Sequence, residues 1–195
     1  MIDFKRIDDV AFDPSDLLVA VEKNPDLWKQ VTNRQLYPGT AHADTETIFL
    51  RWCESQNVDA AFNDLEAIDY PALQLLPEVK PLFQQLGAAV KGEVLGRIIL
   101  VNLIPGGYIR PHVDEGAYAD HYERFHMSLQ SDLGNMFFVG KPDYFGEFVH
   151  MKPGEAWWFN HKKTHWLANM SDRPRLHLIV DMVAPLYRRE RGVQA

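Results

Sequence analysis

The chain has 195 residues, 46% of them hydrophobic and 24% charged, a composition that excludes disordered, collagen-like and fibrous proteins and suits one globular domain. Its formal net charge of −7 argues against a nucleic-acid-binding surface, and apolar runs such as residues 98–101 are far too short to span a bilayer. The single cysteine, Cys53, cannot form an internal disulfide, which is typical of a reducing compartment.

The N-terminal third predicts a mixture of helix and strand. Residues 1–9 lack a long apolar core, so we expect no signal peptide and a cytoplasmic protein. A helix is predicted to begin near Ser15, because Asp13 or Ser15 can cap its first turn. Residues 47–52 are aromatic and β-branched, which favours a strand, and residues 81–90 form a second predicted helix that is opened by proline.

From residue 95 onward, short strand-like runs alternate with glycine and proline turns at close intervals. Many short strands separated by such turns are typical of an antiparallel sandwich or a jelly roll. The predicted strands are residues 96–104, 122–131, 135–139, 146–151, 155–160, 164–170 and 175–184.

These patterns predict a mainly β fold with flanking helices in a single domain, residues 1–195. Within it, a part of mixed helix and strand, residues 1–94, would pack on a jelly-roll core, residues 95–185. The tail, residues 186–195, is charged from Arg188 onward, and we expect it to be frayed.

Eight histidines are present, and three of them begin a His-x-Asp or His-x-Glu motif, where 27 acidic residues predict about one by chance. On an extended segment, alternate residues point to the same side, so the imidazole and the carboxylate of such a motif can bind one metal ion. The three motifs are His42-Ala43-Asp44, His112-Val113-Asp114 and His121-Tyr122-Glu123.

The second of these motifs is the strongest candidate for a metal site. It follows a predicted strand and the turn at residues 105–107, where a scaffold can present side chains rigidly. The first motif lies in a loop with no later partner at an obvious interval, whereas the third alternates properly and is the rival. For each of them the ordinary alternative is a loop histidine beside a solvated carboxylate.

A second histidine could complete the site at a later strand. His165 opens the predicted strand 164–170, whose residues alternate, whereas His161 lies in a predicted turn, so His165 is favoured. Two histidines and one carboxylate form the facial triad of non-haem iron oxygenases. Ten residues later, Arg175 offers a planar guanidinium that can bind a carboxylate bidentately, although an isolated arginine is more often a surface residue.

The predicted strand 122–131 alternates polar and apolar residues. Such a strand is either an ordinary half-solvated one or one that supplies polar groups to a ligand site. Its polar face carries Arg124, His126, Ser128 and Gln130.

Several short elements between residues 95 and 185 are weak individually but are specific in their order and spacing. They are Pro105-Gly106, Pro111-His112, Arg124-Phe125-His126, Phe159, His165-Trp166, Arg175-Leu176 and Val180-Asp181. In this order they resemble the aspartyl/asparaginyl β-hydroxylase-like family of Fe(II)- and 2-oxoglutarate-dependent oxygenases.

The resemblance implies a double-stranded β-helix, which is a jelly roll of the cupin type. It implies a dioxygenase that hydroxylates an unactivated C–H bond of an amino acid or amino-acid residue, with succinate and CO2 as co-products. The implied cofactor is Fe(II), with 2-oxoglutarate as co-substrate. The implied metal ligands are His112, Asp114 and His165.

The resemblance also implies that Arg175 binds the distal carboxylate of 2-oxoglutarate, that His126 assists there, and that Arg124 faces a carboxylate of the substrate. The sequence departs from the family members that hydroxylate protein domains in two respects. Those enzymes lack the metal carboxylate, where this chain has Asp114, and they carry a further arginine where it has Tyr122. The pattern is compatible with enzymes that hydroxylate free amino acids.

Other functions share this fold. A jelly roll with imidazole and carboxylate ligands can hold zinc or manganese for hydrolysis or isomerisation, or can be a metal-free small-molecule binding module. We expect a small-molecule amino acid or a peptide or protein as the substrate, and no nucleic-acid or membrane partner. The oligomeric state is not indicated. We expect the pocket lining to include the N-terminal third, notably residues 37–51.

Overall fold

The computed structural model of the protein describes residues 2–55, 57–141 and 146–191, which contain eleven strands and seven α-helices. The strands are β1 (Phe4–Ala11), β2 (Thr45–Trp52), β3 (Ile68–Asp69), β4 (Val94–Leu103), β5 (Tyr108–His112), β6 (Glu123–Gln130), β7 (Asn135–Val139), β8 (Glu147–Val149), β9 (Glu155–Phe159), β10 (His165–Asn169) and β11 (Arg175–Val183). The helices are α1 (Ser15–Lys23), α2 (Asn33–Leu36), α3 (Val58–Ala61), α4 (Ala72–Leu75), α5 (Val79–Val90), α6 (Gly116–His121) and α7 (Pro185–Glu190), with a 3-10 helix at Pro25–Lys29.

The strands form two antiparallel sheets. The larger has seven strands in the order β1-β9-β6-β11-β4-β2-β3, and the smaller has four in the order β5-β10-β7-β8. Buried side chains from both sheets, such as Phe4, Leu103, Phe137 and Leu167, pack together in one core. This architecture is a double-stranded β-helix, and it confirms the predicted mainly β jelly roll.

Every strand predicted after residue 95 is present, with ends that differ by at most two residues from the prediction. The prediction misses β5, because Arg110 and Pro111 interrupt its apolar pattern. Proline is tolerated there since β5 is the edge strand of the smaller sheet.

The N-terminal third contributes strands to the larger sheet. Strand β2 occurs where residues 47–52 predict it and pairs with β4. Strand β1 pairs with β9, with Phe4 opposite Phe159. The sequence does not reveal β1, because its buried residues Phe4, Ile7 and Val10 recur every third position rather than every second. A register shift between Arg6 and Ala11 accounts for this spacing.

The two predicted helices are present and pack against the larger sheet. Helix α1 begins at Ser15, whose backbone N–H and hydroxyl both donate hydrogen bonds to Asp13 Oδ1. Helix α5 begins at Val79, two residues before Pro81, because proline is tolerated in the first turn of a helix. Within the described residues, no helix is both long and apolar enough to cross a membrane.

The prediction of a frayed tail is wrong for the described residues up to 191. Helix α7 continues through Glu190, and Arg191 is buried against β6, where its Nη2 lies 2.7 Å from Glu123 Oε1. The buried carboxylate of Glu123 on β6 thus pairs with the basic residue that follows α7. Residues 192–195 lie outside the described part.

Candidate metal centre and adjoining cavity

Strand pairing brings the two predicted metal histidines together. His112 at the end of β5 lies opposite His165 at the start of β10 in the register of these antiparallel strands. Asp114 follows two residues later, and its backbone N–H donates a hydrogen bond to the His161 carbonyl at 3.1 Å, in the turn before β10. This turn holds the carboxylate beside both imidazoles.

The three side chains present ligand atoms to one another. Asp114 Oδ1 lies 3.8 Å from His112 Nε2 and 3.9 Å from His165 Nε2, and the ligand atoms all lie within 4.8 Å of one another. His112 Nδ1 lies 2.8 Å from the Arg110 carbonyl, and His165 Nδ1 lies 3.0 Å from the Lys163 carbonyl. Because a carbonyl can only accept, each Nδ1 carries a proton, which leaves Nε2 as the ring nitrogen available to a metal ion.

Arg124 fixes the orientation of Asp114. Its Nη1 donates to Asp114 Oδ2 at 2.7 Å, which leaves Oδ1 directed at the imidazoles. Its Nε and Nη2 donate to the two carboxylate oxygens of Asp181, each at 2.9 Å, and Arg124 is paired with Asp181 in the register of β6 and β11. A bidentate pair holds a guanidinium in one geometry, so Arg124 is a rigid support with two carboxylate partners.

The ionisation states suit metal binding. Burial disfavours the charged form of Asp114, but the interactions with Arg124 and with the neighbouring histidines together outweigh it and hold the pKa of this carboxyl well below its usual range. Burial lowers the pKa of His165 to about 3. At neutral pH the site therefore has an anionic carboxylate and, at His165, a neutral imidazole, which are the forms that bind metal ions.

This donor set fits a divalent iron ion. Two imidazole nitrogens and one carboxylate oxygen converge on one point, which is the ligand set of non-haem Fe(II) sites that keep open positions. The hydrogen bonds at the histidine Nδ1 atoms and at Asp114 Oδ2 are the outer contacts that orient metal ligands in such sites.

The alternative histidines of the sequence analysis lie elsewhere. His161 is buried, its Nε2 lies 2.9 Å from the Ala119 carbonyl, and burial lowers its pKa to about 4. The rival motif is split between two elements, because His121 ends α6 whereas Glu123 begins β6 and accepts a hydrogen bond from Trp158 Nε1 at 2.9 Å. Among the described residues, neither His121 nor His161 belongs to the group of ligand atoms that surrounds Asp114.

Arg175 is a buried cation that lacks a carboxylate partner among the described residues. Its side chain is 3% exposed, and its Nη2 lies 3.1 Å from His177 Nδ1. Burial lowers its pKa to about 9, so it remains protonated at neutral pH. His177 Nε2 and His126 Nδ1 are also buried without a hydrogen-bond partner. Orphaned polar atoms around an unpaired guanidinium fit a carboxylate ligand.

Two aromatic rings lie between the polar residues around Arg175 and the metal ligand His165. Phe137 and Phe159 contact the ring of His165 and also the ring of His126. The Arg175 guanidinium lies 6.0 Å from the centroid of Phe137. The predicted co-substrate residues Arg175 and His126 are thus buried beside these rings.

A cavity of about 310 Å³ adjoins the triad, a size at the lower end for small-molecule sites. His112, Asp114 and Arg124 line it, whereas His126 and Arg175 are not among its described lining residues. The N-terminal third forms much of its wall, which confirms the expectation for residues 37–51. Its apolar and aromatic lining includes Tyr37, Phe49, Trp52, Phe62, Ile99 and Tyr118.

Helix α6 closes one side of this cavity through a close backbone approach. Gly116 has φ +89°, and a Cβ there would lie 2.2 Å from the Phe62 carbonyl oxygen. The Tyr118 N–H donates to that same carbonyl at 3.0 Å. Only glycine permits this approach, which brings Phe62 and Tyr118 to one wall.

Two cavity arginines escape the sequence analysis as functional candidates, and a third cavity residue, His42, is disfavoured there as a metal ligand. The His42 ring contacts the His112 ring, with centroids 4.9 Å apart. Arg34 Nη2 lies 3.1 Å from His42 Nε2. Arg97 is stacked between Trp52 and Tyr118, with its Cζ 4.3 and 3.5 Å from their ring centroids. The two arginines belong to no motif, so no sequence signal marks them, whereas His42 begins a His-x-Asp motif that has no later partner at a regular interval.

The sequence matches the model of the family described as aspartyl/asparaginyl beta-hydroxylase over residues 28–185, which is most of the chain. The chain belongs to this family. This is the family that the motifs after residue 95 resemble. The match also includes much of the N-terminal part that forms the cavity wall. No curated protein matches the sequence significantly.

Two solved structures share the fold at low sequence identity. An oxidoreductase of the 2OG-Fe(II) oxygenase family from Burkholderia pseudomallei superposes with a TM-score of 0.54 and 10% identity, over 72% of this chain and 66% of that chain. A Pseudomonas putida prolyl-4-hydroxylase superposes with a TM-score of 0.50 and 16% identity, over 93% of this chain and 92% of that chain. This chain thus spans just under two thirds of the Burkholderia protein.

Proposed function

We propose that the protein is an Fe(II)- and 2-oxoglutarate-dependent dioxygenase that hydroxylates an unactivated C–H bond of an amino acid, either free or in a peptide. The observation that carries this proposal is the meeting of His112, Asp114 and His165 around one point, beside a buried Arg175 that lacks a counter-ion among the described residues.

His112, Asp114 and His165 would hold the iron, through their Nε2 atoms and Asp114 Oδ1. When bound, iron with 2-oxoglutarate and oxygen supplies the oxidising chemistry for hydroxylation, and succinate and CO2 are the co-products. Arg124 holds the other oxygen of Asp114 and keeps the carboxylate oriented. The protein contributes ligand orientation and the correct protonation states.

Arg175 would bind the distal carboxylate of 2-oxoglutarate, with His126 beside it. The guanidinium supplies charge-assisted hydrogen bonds in an interior where an anion would otherwise be unfavourable. Phe137 and Phe159 line the interval between this carboxylate and the metal ligands and exclude water from it.

The cavity in front of the triad would receive the substrate. Arg124 lines it, as the family resemblance implies, but its charge is compensated by Asp114 and Asp181. Tyr122 is buried and donates its hydroxyl to the Leu65 carbonyl at 2.9 Å, so it adds no charge to the cavity. With Asp114 in the triad, the site favours a small-molecule amino acid over a protein side chain. A cytoplasmic location and the absence of nucleic-acid and membrane partners stay predictions.

The test is anaerobic loading of the purified protein with Fe(II), followed by a screen of free amino acids and short peptides for succinate release and oxygen uptake. We expect succinate formation that needs both 2-oxoglutarate and oxygen and that a subset of free amino acids stimulates. Asp114→Ala should abolish this stimulation, whereas Asp132→Asn, which removes a carboxylate partner of Arg173 far from the triad in sequence, should not.

Iron-independent turnover, or hydrolysis without oxygen uptake, would contradict the proposed function and would favour a metal hydrolase or isomerase of the same fold. If only peptides stimulate succinate release, the 2-oxoglutarate-dependent hydroxylation is supported, but the proposal of a free amino acid as substrate is contradicted.

A further inference from the structure

The cavity beside the metal triad has three arginines, and two of them are fixed by other groups of the protein. Arg124 is held by two carboxylates. Arg97 is stacked between two aromatic rings, and its Nη2 donates to the carbonyls of Ala61 and Asp64 at 2.7 and 2.9 Å. Arg34 is the remaining cation.

Arg34 has few polar contacts for a partly buried guanidinium. Its Nη1 donates a long hydrogen bond to Thr47 Oγ1 at 3.4 Å, and its Nη2 lies 3.1 Å from His42 Nε2. No carboxylate lies within salt-bridge distance of it in the described part of the chain. Burial, followed by the positive charge of Arg124, lowers its pKa to about 10, so it is still charged at neutral pH. A cation in this state gains from an anionic ligand.

The position of Arg34 relative to the metal site is suited to a substrate group. The His42 ring contacts Arg34 on one side and the metal ligand His112 on the other, so one imidazole separates the guanidinium from the triad. A carboxylate bound at Arg34 would place the carbon atoms next to it along the cavity wall toward the triad. The lining of the same cavity also includes the apolar residues Phe49, Trp52 and Ile99.

We propose that Arg34 binds the carboxylate of the substrate, which is a carboxylic acid with an apolar body, such as a free amino acid with a hydrocarbon side chain. This inference rests on the proposed function and names the substrate class of the same site. It assigns the substrate carboxylate to Arg34 rather than to Arg124, because a guanidinium paired with two carboxylates has little attraction left for a third.

The experiment compares apolar L-amino acids with their primary amides, which retain the side chain and lose the carboxylate. Succinate release is measured with the Fe(II)-loaded protein, and binding is measured by anaerobic calorimetry, where no turnover occurs. We expect apolar acids to bind and to stimulate succinate release, and the amides to do so about 10- to 100-fold less well.

Arg34→Met should raise the KM and the calorimetric Kd for the acid by about 10- to 100-fold, with a smaller change in kcat and with unchanged Fe(II) binding. Arg34→Lys should bind the acid more tightly than Arg34→Met and less tightly than the unaltered protein, since lysine retains the positive charge but lacks the planar, bidentate guanidinium. Arg173→Met removes an exposed arginine that pairs with Asp132 and serves as the control with unchanged KM.

The result that would overturn the inference is equal stimulation by acids and amides, or an Arg34→Met variant with unchanged Kd. If Arg34→Met does not fold, the comparison of acids with amides on the unaltered protein decides alone. If no apolar acid stimulates while iron-dependent succinate release persists without substrate, the substrate class is wrong and the proposed function stands. If no iron-dependent consumption of 2-oxoglutarate occurs, both fail.

Discussion

Two arginines without a carboxylate partner among the described residues mark the two anion sites that we propose. Arg124 is neutralised by carboxylates and acts as a support for Asp114, whereas Arg175 and Arg34 lack such partners among the described residues. A buried guanidinium without a counter-ion is costly unless a ligand supplies one. Arg175 lies beside His177 in the interior and Arg34 lines the cavity, and we therefore propose one anion site at each of them.

Replacement of Arg175 tests the co-substrate site. Arg175→Met should raise the KM for 2-oxoglutarate by about 10- to 100-fold, because the distal carboxylate would lose a charge-assisted hydrogen bond in a buried pocket. The matched control is Arg173→Met, two residues earlier and exposed. Steady-state succinate formation over a range of 2-oxoglutarate concentrations measures both, and equal KM values in the two variants would remove Arg175 from this role.

At the residue scale, the sequence singles out three side chains that the structure then places within 4.8 Å of one another, although their role as metal ligands stays a prediction. His112, Asp114 and His165 can be chosen from the sequence because a metal site needs particular residue types at particular positions on strands. Arg34 cannot be chosen in this way. It lies in a four-residue helix with no motif, and only the tertiary fold brings it to the cavity.

At the scale of elements, the register between β5 and β10 places His112 opposite His165. Helix α7 packs on the larger sheet through Tyr187, which contacts Phe125 and Trp158. Strand β5 is not visible in the sequence because its edge position tolerates proline, and β1 is not visible because a register shift breaks its alternation. The basic C-terminal segment suggests a frayed tail, yet Arg191 is buried with Glu123. Charged residues are mostly exposed, but Arg191 is buried because it pairs with Glu123, which is distant in the sequence.

Replacement of Arg191 tests how much its ion pair with Glu123 stabilises the packing of the C-terminal segment on β6. Both side chains are at most 2% exposed, so Arg191→Met would leave Glu123 buried and uncompensated. We expect the free energy of unfolding at pH 7 to fall by about 3–5 kcal/mol. Arg189→Met, on the exposed side of α7, should change it by less than about 0.5 kcal/mol. Urea unfolding followed by circular dichroism compares the two, and similar midpoints would mean that the pair contributes little.

Across the whole molecule, the polar site is built into an apolar interior, and burial there lowers the pKa values of five histidines. Burial lowers the pKa of His165 to about 3 and that of His161 to about 4. It also lowers the pKa values of His42, His126 and His177 well below the ordinary value. The overall jelly roll could be predicted from strands and turns, whereas this degree of histidine burial could not, because it depends on how the two sheets enclose the site.

This burial predicts a pH dependence of stability in the metal-free protein. Between the lowered folded-state pKa values and about 6.5, the unfolded chain binds more protons than the folded chain, so stability rises with pH and levels off above about pH 7. Each buried histidine contributes up to about 1.4 kcal/mol per pH unit in that window. Urea midpoints should therefore be lower at pH 5 than at pH 7 and similar at pH 7 and pH 8. Equal midpoints at pH 5 and pH 7 would show that these histidines are protonated in the folded state.

Anaerobic equilibrium dialysis of Fe(II) tests the metal centre most directly. We predict one equivalent of iron per chain for the unaltered protein and for His121→Ala, which removes the histidine of the rival motif. We predict a loss of stoichiometric binding for His112→Ala, Asp114→Ala and His165→Ala, each of which removes one ligand of the facial triad. Stoichiometric iron in all three triad variants, or its loss in His121→Ala alone, would contradict the metal centre described above.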